Sequence, residues 1–383
     1  MFDMDRYFLL LLSLAVAASC TEIAREPDYQ MPAEEISLKS VAKMLSELPI
    51  GQEQLDEVYD AVKSSSGNGY DEEYLMKDIF EAPGCGVGDG PGTRAGKAGA
   101  YGCPLRDLIT DYLRSVHGTK SSAGNAEDYI RALTESGYQL YFPYSDNWDG
   151  KTLPVITFDP GYGAESNYGY EIKLDDNGLR VVDSVYVDES VALKRPVWVV
   201  NTNDDSAFTP LELYVRNKSA GMETKGPGRK LMLTSFRMLR NFDSWFGGAS
   251  EFWCKFGSIE GFTASTEAEL KLYSPSITDF MIVIRRRDKG IEVPFNSIIM
   301  TDFTNQLDKI AMLVTEDDGG TTTSWKCSAS VKVQSKTYGF DLDLPYRDKD
   351  DIVWRGQLSA DFLREEDMVR GRFGDVEISF ALE

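Results

Sequence analysis

The hydrophobic period of this chain changes once, at Gly137. Before it, apolar residues return at three- and four-residue steps: Leu38, Val41, Leu45 and Leu48, then Leu55, Val58 and Val62. That is the stripe of an amphipathic helix. Pro104 opens a further helix, with Leu105, Leu108, Ile109, Tyr112 and Val116 on one stripe, and Pro suits a first turn because its missing N–H has no partner there anyway. Asn125 to Ser136 predicts another helix, capped by Asn125 and stopped at Gly137. A helix is also expected over Glu72 to Phe80.

After Gly137 the period is two. Tyr138 to Phe142, Leu153 to Phe158, Tyr170 to Leu174 and Leu179 to Val187 predict strands, and Val197 to Val200 predicts a buried one. Asp175-Asp176-Asn177-Gly178 supplies a hairpin turn, since Asn-Gly tolerates positive φ. Residues 217–230 form a Gly-rich, charged break. Beyond it, strand signals recur at Ala268, Leu270 and Leu272, at Phe280 to Ile284, at Ala311 to Val314, at Ala329, Val331 and Val333, and at Val376, Ile378, Phe380 and Leu382. The expected fold class is α+β. A helical N-terminal region over 37–136 is followed by antiparallel β domains over 137–227 and 228–383, the last a β-sandwich.

A chain of 383 residues is long enough for two cores. With 40 Lys and Arg against 62 Asp and Glu, its formal net charge is −22. Such a chain repels phosphate backbones, so no nucleic-acid partner is expected. The single histidine, His117, excludes multi-His zinc sites and most Ser-His-Asp or Cys-His mechanisms. It closes the Pro104 helix, where a cation suits the helix dipole.

The N-terminus carries an apolar run of 11 residues, Phe8 to Ala18. It is half of the ~20 needed to span a bilayer and the right size for a secretory h-region. Small residues and a cysteine follow, Ala17-Ala18-Ser19-Cys20. This stretch resembles the lipobox of bacterial lipoproteins. The resemblance implies a signal peptide over 1–19, lipidation of Cys20 and a lipidated tether over 20–36. The chain would then hold to the lipid bilayer through acylated Cys20, on the outer membrane of the cell envelope. A plain signal peptide cleaved near Ala18 is the alternative, and translation starting at Met4 would leave a less acidic n-region. As a whole the chain resembles exported lipoproteins of unknown function from Bacteroidota, and no catalytic motif comes with that resemblance.

Four cysteines remain: Cys85, Cys103, Cys254 and Cys327. In an exported chain an even count permits two disulfides. Cys85–Cys103 and Cys254–Cys327 are expected because each pair falls within one region, with buried free thiols as the alternative.

Three features bear on function. The stretch Gly84 to Gly102 fails the phosphate-loop pattern, since Pro91 stands at the first glycine and Ala98 at the magnesium-binding hydroxyl. It reads as a surface loop in which Arg94 and Lys97 are rare cations open to a partner. Acidic turns recur at Asp146–Gly150, Asp175–Gly178, Asn203–Asp205, Glu316–Gly319 and Asp348–Asp351. None is an EF-hand: in the register ending at Gly150, Ile156 stands where the twelfth-position Glu belongs. Asp243 and Glu251, eight residues apart and facing Glu316, Asp317 and Asp318, are the expected Ca²⁺ ligands, loosely similar to calcium-binding C2-type sandwiches. The third feature is an aromatic run, Tyr138, Tyr141, Phe142, Tyr144 and Trp148, continued by Tyr162, Tyr168 and Tyr170. These rings either fill cores or present a recognition surface, with Trp148 foremost. The function expected is a non-catalytic binding or structural role, with loops of β domains presented to a protein or glycan partner. The competing class is a carboxylate- or metal-dependent hydrolase of glycans or peptides.

Overall fold

The computed structural model describes residues 36–81, 101–117, 123–174, 180–203, 210 and 229–383. Cys20 and the segments around it, Cys85, Arg94, Lys97, the Asp175–Gly178 turn and most of the 217–230 break lie outside these residues.

Two helices open the described chain, α1 (Leu38–Glu47) and α2 (Gln52–Gly67). Ser37 caps α1, its hydroxyl accepting from Ser40 N at 3.1 Å, as a short polar side chain does for an orphan amide. Next come β1 (Glu73–Leu75), α3 (Met76–Phe80), α4 (Leu105–His117) and α5 (Ala123–Glu135). The helix expected over Glu72 to Phe80 is therefore a short strand followed by a short helix. Asn125 lies within the first turn of α5 rather than before it, and Gly137 follows the C-terminal end of that helix with φ +69°.

The period-two segments are strands: β2 (Tyr138–Tyr141), β3 (Val155–Phe158), β4 (Ser166–Leu174), β5 (Arg180–Asp188) and, after α6 (Glu189–Ala192), β6 (Val197–Thr202). They form one sheet in the order β1-β2-β6-β3-β4-β5. Its pairs are antiparallel except β3 with β6. The helices do not stand apart from this sheet. β1 pairs with β2 in the register Glu73↔Tyr141, and Val41, Leu45, Val58, Ile109 and Leu133 share one core with Leu140, Ile156, Trp198 and Val200. Regions 37–136 and 137–227 thus meet in one sheet and one core, because neither apolar face is buried without the other.

Two further sheets follow. β7 (Arg229–Met238), β10 (Val293–Phe303), β15 (Met368–Phe373) and β16 (Val376–Leu382) join in the order β10-β7-β16-β15. β8 (Ser250–Ser258), β9 (Ser276–Ile284), β11 (Leu307–Glu316), β12 (Thr322–Val333) and β13 (Lys336–Arg347) join in the order β13-β12-β11-β8-β9, with β14 (Asp351–Ser359) paired to β11. A short helix, α7 (Ala360–Arg364), follows β14. The inward faces of these sheets share one large core: Phe236 meets Phe252 at 4.9 Å between ring centres, and Phe256 meets Phe380 edge-on at 6.3 Å. The protein is thus α+β with mostly antiparallel sheets, and residues Ile36–Glu383 form one compact unit.

Two expectations are corrected here. Ala268, Leu270 and Leu272 are not in a strand but in a 3₁₀ helix, Glu267–Leu272. Leu272 is 74% exposed, so the alternation marks no inner face. The turn is held instead by Glu269, which accepts from Ser265 N at 2.8 Å and Thr266 Oγ1 at 3.0 Å. The Cys254–Cys327 disulfide is absent, since both carry free thiols, as does Cys103. Cys254 is buried on β8, opposite Val314 and Phe280. Cys327 lies opposite Leu342 and donates to its carbonyl at 3.6 Å. β12 leaves β11 after the Lys309↔Ser330 pair, where β8 takes over that edge from Ala311↔Gly257, while β14 runs along the opposite edge.

Candidate functional site

The segment between β7 and β8 ties the first sheet to the rest of the molecule. Trp245 and Phe246 stack at 4.0 Å and bury against Tyr141, Val155, Val187, Val197 and Val199, on the face of the first sheet away from the helices. Trp245 Nε1 donates to Glu165 O at 2.9 Å, and Asn201 Nδ2 donates to Phe246 O at 2.9 Å and Gly247 O at 2.8 Å. Gly248 has φ +117°, and a Cβ there would lie 2.6 Å from Asp71 Oδ2, so only glycine lets the backbone approach that carboxylate.

Asp243 sits on this segment. Glu251 is the second residue of β8, and Glu316 is the last of β11, opposite Phe252. Asp317 N donates to Glu251 O at 2.9 Å and holds the end of β11 beside β8. Carboxylate oxygens of Asp243, Glu251 and Glu316 consequently lie within 4.8 Å of one another. Glu251 is 7% and Glu316 is 1% exposed.

Such crowding is unfavourable for bare carboxylates. Burial pushes the Asp243 carboxyl up, while a hydrogen bond with Glu316 and the charge of Arg286 act the other way. Asp243 Oδ2 is buried without a hydrogen-bond partner. Asp318 is pushed up to about 6 by its own burial and by the charges of Asp243 and Asp351. Three hard carboxylates on a well-packed frame are a donor set that suits a Ca²⁺-like cation, which takes six to eight oxygens.

Of the five acids expected from the sequence, the structure brings together Asp243, Glu251 and Glu316, with Asp318 close enough to feel Asp243. Asp317 does not join them. It accepts from Arg347 Nη1 at 3.0 Å, Trp253 Nε1 at 3.2 Å and Gly319 N at 3.0 Å. Sequence reasoning missed Arg286, which donates to Asp243 O at 2.8 Å and to Glu189 at 2.8 Å. Its signal, one arginine within Arg285-Arg286-Arg287, carries no period or spacing that singles it out.

Trp148 lies elsewhere, in the turn after β2. Its ring packs on Tyr59 at 5.2 Å and on Phe142 at 6.3 Å, and its Nε1 donates to Thr152 O at 2.9 Å. One edge of the ring therefore belongs to the helix–sheet core. The other borders an open groove of about 550 Å³ lined by Asp56, Tyr59, Asp60, Tyr101, Trp148 and Asp149. Tyr168 and Tyr186 meet edge-on at 6.2 Å on the exposed β4–β5 hairpin. No family model, no curated protein and no solved structure matches this chain.

Proposed function

We propose that this chain is an exported, lipid-anchored protein of the cell envelope with a non-catalytic binding role toward a protein or glycan. Its carboxylate cluster would hold a structural Ca²⁺. The Ala17-Ala18-Ser19-Cys20 stretch supports the anchor. No helix among the described residues is long and apolar enough to cross a membrane. The two sheets that share the large core we read as the β-sandwich presenting these loops.

The observation that carries the non-catalytic reading is the burial of Glu251 and Glu316. Glycoside hydrolysis needs two carboxylates standing ~5 to 9 Å apart on either side of a sugar ring. Here the acids lie within 4.8 Å of one another, and a substrate does not reach between them. A cation fits that space, and it would clamp Asp243, on the joining segment, to the ends of β8 and β11.

A thermal melt of residues 21–383 in EDTA and then in millimolar Ca²⁺ tests the site. Linkage contributes about 2.7 kcal/mol at one hundred times the Kd, a rise of roughly 3–6 °C for a body of this size. Glu316→Gln and Asp243→Asn should remove the rise, while Asp317→Asn lowers the baseline and keeps it. No rise in the unaltered protein rejects the cation. Replacing Cys20 with Ala should move the chain out of the membrane fraction, and retention there rejects the anchor.

A carboxylate-dependent hydrolase is the second reading. It rests on Asp318, at an exposed position where desolvation and the charges of Asp243 and Asp351 push its carboxyl up to about 6, the range of a general acid. It requires turnover of a glycan or peptide that Asp318→Asn abolishes in a protein that still melts normally.

A further inference from the structure

The groove beside Trp148 combines rings and carboxylates. Asp56, Tyr59 and Asp60 stand at i, i+3 and i+4 on α2 and so share one face of that helix. Tyr101 closes one side, its hydroxyl donating to Asp60 Oδ2 at 2.5 Å. The opposite side is the turn that carries Trp148. Asp149 builds that turn, accepting from Lys151 N at 2.9 Å, Thr152 N at 2.8 Å and Thr152 Oγ1 at 2.7 Å. Because the Trp148 donor is taken by Thr152 O, the indole offers the groove a ring surface and no hydrogen bond.

The charge is one-sided. Among the described residues no lysine or arginine pairs with Asp56, Asp60 or Asp149, and the nearby Lys63 is engaged by Asp146. The groove thus offers aromatic surface for a flat apolar face, acceptors for hydroxyls and net negative charge for a cation. An anionic ligand is excluded by repulsion, and a neutral one leaves the charge unused. A volume of about 550 Å³ suits a small ligand of one or two rings.

We propose that this groove binds a cationic amino sugar, with a sugar ring against Trp148 and its neighbours Tyr59 and Tyr101 and the ammonium group between Asp56 and Asp60. Ammonium groups are held by ring faces and carboxylates together. The proposal narrows the binding role above to one site and one chemistry. Its test needs neither the anchor nor Ca²⁺, so its failure leaves those readings standing.

Calorimetric titration of residues 21–383, which contain the whole compact unit, compares three probes. They are a β-1,4-linked glucosamine tetramer, its fully N-acetylated counterpart and tetralysine. The glucosamine tetramer is expected to bind at least about tenfold more tightly than either other probe, and less tightly as salt rises from about 20 to about 150 mM. Asp60→Asn, at an exposed position, should weaken it about three- to fivefold with an unchanged melting temperature, and Asp56→Asn likewise. Equal binding of the N-acetylated tetramer makes the site one for neutral glycans and overturns the proposal. So does equal binding of tetralysine, which would mean charge without ring recognition. Absence of binding by all three overturns it as well.

Discussion

The buried carboxylate of Asp71 accepts the backbone N–H of Ala249 at 2.9 Å, joining positions 178 residues apart. Asp71 is 4% exposed, and its second oxygen has no hydrogen-bond partner. Burial and the neighbouring charge of Glu72 push its carboxyl up to about 7.

This relationship sets a pH dependence. A carboxyl whose folded pKa lies above its unfolded value favours the folded state when protonated. The stability it contributes is full below about pH 4 and is lost as pH rises through about 7. At about 1.4 kcal/mol per pKa unit, acidification from pH 8 to pH 5 should favour the native state by about 2–3 kcal/mol at this site. Asp318 adds in the same direction. Asn at position 71 retains an acceptor for Ala249 and does not titrate. Asp71→Asn should therefore gain stability over the natural chain at pH 8 and lose that advantage by pH 5 in urea melts. A gap independent of pH would refute the assignment.

The contact between β8 and β13 rests on a missing side chain. A Cβ at Gly257 would lie 2.0 Å from Leu342 Cδ1. Leu342 is itself packed into the large core and has little room to retreat. Gly257→Ala should cost about 1–3 kcal/mol, as overpacking of a filled core does. The paired change Gly257→Ala with Leu342→Ala should recover part of that loss. Additive losses in denaturant melts would show that the two residues do not compete for the same space.

Thiol reactivity separates the cysteines. Burial pushes the Cys254 thiol up strongly, and the half-buried Cys327 is raised to about 11. Cys254 should resist a maleimide until the protein unfolds, whereas Cys327, which borders a groove on β12 and β13, should label slowly in the native state. Peptide mapping after a native pulse checks this. Labelling of Cys254 at the rate of Cys327 would contradict the packing of β8.

Local structure was legible where one physical term dominates. The stripe from Leu38 to Leu48 becomes α1, and the alternation from Val376 to Leu382 becomes β16, because each pattern has one face to bury. Alternation failed at Leu270 and Leu272. There Glu269 satisfies the backbone of a 3₁₀ turn, and a short run of six residues holds too few apolar contacts to override it. The union of helices and first sheet was not legible either. β1 has three residues, too few for a period to register. For the candidate site, Asp243 and Glu251 were readable only as two acids eight residues apart, since no strand signal marked β8. The diversion of Asp317 was not, since Arg347 lies 30 residues away.

By itself, the sequence determined the balance of charge, the switch of hydrophobic period at Gly137 and the set of acids able to meet. Those properties depend on residue type and near neighbours. Only the tertiary structure decided which acids do meet. The ladder register Glu316↔Phe252 brings the end of β11 beside the start of β8. Trp245 and Phe246, buried against the first sheet, hold Asp243 above that junction. A register is a long-range choice made by the whole apolar face at once, since a slip of one residue would turn that face to solvent. The placement of three carboxylates follows from core packing that no local pattern encodes.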